Sequence, residues 1–155
     1  MYLEPIRRLV EKELCEVDTL IVDKMASHVP LTQEIILHLV DGGGKRIRPL
    51  ILLLCAKACE AIGPNHTHLA TIVEYLHSAT LLHDDVIDQS TKRRGKSTAN
   101  MIWGNAAPVL VGDFLYSRAF QMMVSTSSLK ILDILAQATN IISEGEVLQL
   151  SKRHD

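Results

Sequence analysis

Apolar residues recur every three or four positions along almost the whole chain, the spacing of one face of an α-helix. Ile6, Leu9, Val10, Leu14, Val17 and Ile21 define a first segment from Pro5 to about Ala26. Ile35, Ile36 and Leu39 mark a second, from about Leu31 to Val40, broken by Gly42-Gly43-Gly44. A third runs from about Arg46 to Ile62, with Pro49 tolerated in its first turn and Gly63-Pro64 as its stop. The fourth starts at Asn65, a good capping residue, and carries Leu69, Ile72, Val73, Leu76, Thr80 and Leu81 toward Asp88. Gln89 to Ala99 reads as a polar loop. The fifth covers about Asn105 to Val124, Ser125 to Ser128 interrupt, and the sixth runs from about Leu129 to Leu150, with Gly145 costing ~1 kcal/mol against Ala. No period-2 alternation, internal repeat or low-complexity stretch is visible. The pattern predicts an all-α fold of about six helices, several apolar on more than one face and so central to a bundle.

Length and composition narrow the class. The chain has 155 residues, 47% apolar and 22% charged, an ordinary globular composition with room for one core. The longest strongly apolar run, Leu50 to Ala56, is too short to cross a bilayer, so no transmembrane segment is expected. The start, Met1-Tyr2-Leu3-Glu4-Pro5, has no signal-peptide pattern. Three cysteines sit at spacings that suit neither a disulfide framework nor zinc, and Cys55 and Cys59, on one face of an apolar helix, read as buried thiols in a reducing cytoplasm. A membrane span, a secreted scaffold and a bulk-basic binder are set aside.

Net charge, −2, conceals a layout. Lys45, Arg46 and Arg48 form one basic cluster, and Lys92, Arg93, Arg94 and Lys96 another; together they hold 7 of the 16 basic residues. Asp84, Asp85 and Asp88 lie between them in sequence. On a helix Asp84 and Asp88 are separated by ~6 Å of rise and ~40° of rotation, with Asp85 on the other flank. Three carboxylates crowded at a helix C-terminus repel one another and the helix dipole, so a cation is expected there. Hard oxygen donors at this spacing suit Mg²⁺, which completes its shell with water and phosphate oxygens. Solvated acids are the plainer alternative.

The run Gly42 to Pro49 places a flexible backbone and two full charges, Lys45 and Arg48, at a helix start, where free N–H groups favour anions. It is not a Walker A loop, because Leu39 stands at the first Gly position and Arg46 at the Ser/Thr position. It reads as a phosphate or diphosphate clamp. Arg93 and Arg94 follow Asp88 closely enough to face the same metal-bound anion, and His77 lies two turns before Asp84, ~20° around the axis. With aromatic residues at 4% and acids interleaved among the bases, nucleic acid is a poor candidate partner.

GGGKRIRP at 42–49, LLHDDVID at 81–88, RRG at 93–95, VGDFLYSRAFQMM at 111–123 and EGEVLQL at 144–150 resemble the trans-prenyl diphosphate synthase family. The likeness is to its long-chain octaprenyl type, which makes ubiquinone side chains. It implies an antiparallel helix bundle of the isoprenoid synthase type, here incomplete, with residues 1–155 as the N-terminal portion of one domain. Asp84 and Asp88, with Asp85 in support, correspond to the Mg²⁺ ligands of the first aspartate-rich motif. Arg93 corresponds to the arginine holding the allylic diphosphate, and Lys45, Arg48, His77 and Arg94 to the residues binding isopentenyl diphosphate. Asp113 and Gln149 match family positions without an assigned role. The implied chemistry is ionisation of the allylic C–O bond, attack by the double bond of isopentenyl diphosphate, and proton loss. Asp84, Asp88 and Arg93 carry the catalytic assignment.

Ala79 and Thr80, small residues below Asp84, predict a product longer than C15 or C20, with Phe120, Met122 and Met123 as candidate floor residues. The family also carries a second aspartate-rich motif and a Lys-Thr pair, neither of which occurs before the chain ends at Ser151-Lys152-Arg153-His154-Asp155. The expectation is a truncated, poorly active fragment of a homodimeric enzyme whose exposed apolar faces favour association. The rival readings are a non-catalytic partner subunit that binds prenyl diphosphate, and a purely structural dimerising unit. Terpene cyclases share an aspartate-rich helix but do not need the GGGKRIRP clamp.

Overall fold

The computed structural model describes residues 3–61, 63 and 65–152. Met1, Tyr2, Ile62, Pro64 and the tail from Arg153 lie outside that set, and the expected stop at Pro64 with them. The third predicted helix, expected to reach about Ile62, ends earlier, at Ala58, before Glu60 with its positive φ (52°). Among the described residues are eight helices and one short hairpin: α1 (Glu4–Arg8), α2 (Glu11–Lys24), α3 (Pro30–Asp41), α4 (Ile47–Ala58), α5 (His66–Ile87), β1 (Lys92–Arg93), β2 (Lys96–Ser97), α6 (Ala99–Trp103), α7 (Ala106–Ser125) and α8 (Leu129–Lys152). They fall into two compact units, one ending at Met122 and one from Met123 onward.

In the first unit α5 is the axis, packed on α4 and α2. Its buried set includes Ala70, Ile72, Tyr75, Leu76, Ala79 and Leu82, so it is apolar around most of its circumference, as a central helix must be. α2 adds Leu14, Val17 and Ile21, and α4 adds Pro49, Leu50 and Leu53. The Tyr75 hydroxyl donates to the Ile21 carbonyl (2.8 Å), so this deep phenol is satisfied inside the core.

Four differences from the sequence pattern have physical causes. The first predicted helix is two: Val10 leaves the helical region (φ −135°, ψ 29°), and the break turns Val10 into the core while Leu9 stays outside. The polar loop contains the hairpin, with Lys92 paired to Ser97 and Arg93 to Lys96. Its two turn residues, Arg94 and Gly95, both have positive φ (52° and 83°), the pattern that matches the twist of a tight hairpin. Two-residue strands leave no alternation to detect. Asn65 precedes α5 but makes no side-chain cap. Finally, Cys55 and Cys59 are exposed rather than buried, because α4 turns Leu50 and Leu53 inward, leaves Cys55 on its outer side and ends just before Cys59.

The second unit contains the end of α7 and α8. Ser127 has positive φ (55°), and the Ser128 hydroxyl accepts from the Ile131 N–H (3.3 Å), capping α8 as its place before Leu129 suggests. No residue of α8 is buried.

A candidate diphosphate and metal site at the end of the central helix

The glycine run ends at Arg46, whose backbone is left-handed (φ 46°, ψ 41°), and α4 begins at Ile47. The bend leaves Lys45 and Arg48 exposed on either side of it. The Arg7 guanidinium donates to the Lys45 carbonyl (2.8 Å), fastening α1 to the loop. The hairpin arrives from the other direction. Lys96 donates through Nζ to the Asp41 carbonyl (2.9 Å), and His38 Nε2 meets the Ser97 carbonyl (2.8 Å), which requires the proton on Nε2. The His38 ring also packs edge-on against Trp103. Arg94, at the hairpin tip, lies against Gly44: a Cβ there would stand 2.9 Å from Arg94 Nη1.

These elements enclose an open cleft of about 530 Å³ lined by Lys45, Arg46, Ile47, Arg48, Glu74, His77, Arg94 and the three glycines. The four residues expected from the sequence to hold isopentenyl diphosphate therefore share one cleft, contributed by a loop, a helix start, α5 and the hairpin. Burial lowers the His77 pKa, and Arg48, Arg93 and Arg94 push the same way against Glu74. Burial first, and the surrounding guanidinium charges second, thus both favour the neutral His77 ring.

Two turns further along α5, the aspartates separate. Asp85 is 3% exposed and takes a bidentate grip from Arg93: Nη2 to Oδ1 at 2.8 Å and Nε to Oδ2 at 3.0 Å. That bond is the first cause of the raised Arg93 pKa, with smaller contributions from the charges of Asp84 and Asp88. Asp85, read from the sequence as supporting the metal ligands Asp84 and Asp88, is thus engaged by Arg93. The compensating cation for Asp85 is Arg93, and no group of three or more His, Cys, Asp or Glu side chains capable of holding a metal occurs among the described residues. Asp84, half-buried, and Asp88, exposed at the end of α5, remain on the outer side. Two carboxylate donors one helical turn apart fit Mg²⁺, which takes one or two protein carboxylates and completes its shell with phosphate oxygens and water.

Where α7 meets α5, His83 and Tyr116, unassigned in the sequence reading, join Asp113, which matched a family position without a role. His83 Nε2 lies 3.1 Å from the Val109 carbonyl and 3.4 Å from Asp113 Oδ1, and its ring stacks on Tyr116. Burial raises the Tyr116 pKa, and the charge of Asp84 adds to it. Gly112 is what allows α7 this close, since a Cβ there would run into the His83 ring. The signal was present in LLHDD and VGDFLY, where a histidine beside the aspartates and a helical glycine share no chemistry until the helices meet. Ala79 is fully buried, and neither it nor Thr80 lines the cleft described above. Thr80 instead donates to the His77 carbonyl (2.9 Å). Of the candidate floor residues, Phe120 is 42% exposed whereas Met122 and Met123 are buried.

Long helices around a buried axis, carrying aspartates at one end of it and a basic cleft beside them, define an all-α architecture shared with isoprenoid synthases, here an incomplete one. A family model described as polyprenyl synthetase matches residues 29–155, and the chain belongs to that family. Octaprenyl diphosphate synthase of Escherichia coli is 50% identical over 155 residues, all of this chain and 48% of that protein. The all-trans-nonaprenyl-diphosphate synthase (geranyl-diphosphate specific) of Rhodobacter capsulatus is 44% identical over 146 residues, 94% of this chain and 45% of that one. A polyprenyl synthase from Caulobacter crescentus, solved with calcium and isoprenyl diphosphate, superposes with a TM-score of 0.93 at 50% identity, covering 97% of this chain and 46% of its own. A decaprenyl diphosphate synthase from Rhodobacter capsulatus gives 0.92 at 46% identity, covering 96% of this chain and 46% of its own. The chain spans about half the length of the curated relatives it matches.

Proposed function

We propose that this chain supplies the substrate-binding walls of a polyprenyl diphosphate synthase, which joins isopentenyl diphosphate to an allylic prenyl diphosphate to build a long, octaprenyl-like all-trans chain. The observation that carries this is the convergence of Lys45, Arg48, His77 and Arg94 on one cleft beside the aspartates of α5. Both compact units are read as parts of one synthase domain, because the relatives match across their boundary.

In this reading Lys45, Arg48 and Arg94 hold the diphosphate of isopentenyl diphosphate, and His77 donates to one of its oxygens. Asp84 and Asp88 would hold Mg²⁺, which supplies Lewis-acid stabilisation of charge on a leaving diphosphate. Arg93, oriented by Asp85, adds a fixed positive charge on the same side and is the candidate contact for the allylic diphosphate. Preorganised charges of this kind lower the barrier to ionisation because they need not reorient as the bond breaks. The small side chains at Ala79 and Thr80 support a product longer than C15 or C20.

Calorimetric titration of isopentenyl diphosphate into the chain tests the reading. Saturable binding is expected, weakening with salt and falling about tenfold or more in Lys45→Ala and in Arg94→Ala, each of which removes a charge-assisted contact. Binding unaffected by either substitution would contradict it.

A further inference from the structure

The basic cleft contains one carboxylate that the proposed function leaves without a task. Glu74 is 7% exposed and lines the same cleft as Lys45, Arg48, His77 and Arg94. A buried negative charge beside a diphosphate opposes its binding, so its presence needs a physical reason.

Arg46 supplies one. Its Nη1 donates to Glu74 Oε1 at 2.7 Å and its Nε to Asp18 Oδ1 at 3.1 Å. The side chain is only 17% exposed, and its fork joins α5 to α2. Arg46 is also the residue whose left-handed backbone ends the glycine run and starts α4. That conformation is unfavourable for a side chain with a Cβ and persists where the surroundings hold it. The same residue is thus fixed at both ends: its backbone makes the bend and its guanidinium is gripped from beneath. Lys45 immediately precedes it, and Arg48 follows two positions later.

We propose that the Glu74–Arg46 pair positions the diphosphate cleft. Glu74 grips Arg46, Arg46 holds the bend, and the bend aims Lys45 and Arg48 at the anion. Arg46 and Glu74 both line the cleft, and the pair acts through the loop that carries Lys45 and Arg48. This rests on reading the cleft as a diphosphate site.

The inference gives a sign opposite to simple electrostatics. Were Glu74 only a negative charge near an anion, Glu74→Gln would bind inorganic pyrophosphate more tightly. Acting as a brace, the substitution loosens the loop and binding weakens. Two measurements are made on the whole chain: calorimetry with inorganic pyrophosphate, and hydrogen exchange of the Gly43 to Arg46 amides without ligand. Glu74→Gln is expected to bind at least fivefold more weakly and to exchange faster in the loop, while α5 keeps its protection. Equal or tighter binding, or unchanged loop exchange, overturns the proposal. Should Glu74→Gln fail to fold, Asp18→Asn removes the outer arm at a 56% exposed side chain outside the cleft. It is expected to quicken loop exchange and weaken pyrophosphate binding about twofold, and no change in either overturns the proposal. Wild-type chain that ignores pyrophosphate would defeat the diphosphate reading, and loop exchange would still judge the brace.

Discussion

Asp85 and Gly112 show how single residues set the chemistry at the end of α5. Asp85 points inward to Arg93, so its removal leaves a guanidinium without its partner. A fully buried pair broken in this way costs ~3–5 kcal/mol; with Arg93 34% exposed, Asp85→Asn should cost about 2 kcal/mol in urea denaturation. At Gly112 two effects compete. Alanine gains ~1 kcal/mol of helix propensity, but its Cβ meets the His83 ring, and forcing such a contact costs ~1–3 kcal/mol. The contact should win, so Gly112→Ala should lower the melting temperature, where a glycine without that neighbour would raise it. His77 adds a pH dependence. Its folded pKa lies below the ordinary 6.5, so below that pH the unfolded chain takes up a proton that the folded one resists. Stability should fall as pH drops through about 6.5, and His77→Gln should flatten this acid-side slope. Urea midpoints at about pH 5.5 and pH 7.5 measure the difference.

At the scale of elements, long periodic segments were legible and short irregular ones were not. α3, α5, α7 and α8 lie where the apolar spacing puts them, because each buries or presents a stripe several turns long. The hairpin was invisible: two residues per strand carry no period, and its positive-φ turn at Arg94-Gly95 is written in one glycine. Yet it is the element that brings Arg94 to the glycine loop. The site was legible as a set of residue types in order, through the basic and acidic clusters. Its wiring was not, since Asp85 and Asp88 look alike in sequence and differ only in which way the helix turns them. The hairpin's own support can be tested. His38 ties Ser97 to α3, so His38→Ala should loosen the hairpin and weaken isopentenyl diphosphate binding severalfold, with α3 otherwise intact. Unchanged binding would show that the tether is dispensable.

The whole molecule presents much apolar surface. On α8 alone Leu129 is 84% exposed, Ile141 68% and Val147 69%, and the curated relatives are about twice as long as this chain. Contiguous exposed apolar faces are an association surface. Sedimentation should therefore show self-association that grows with concentration, and Val147→Lys should reduce it without changing the fold. No helix among the described residues is long and apolar enough to cross a membrane.

The direct test of the central claim is the titration of the His77 ring followed by NMR, without and then with inorganic pyrophosphate. Free, His77 should titrate below the ordinary histidine range, held down by burial and by Arg48. An anion seated among Lys45, Arg48 and Arg94 should cancel that positive field and move the His77 pKa upward, with tighter binding at lower pH. A His77 titration that does not move when pyrophosphate is added would contradict the account.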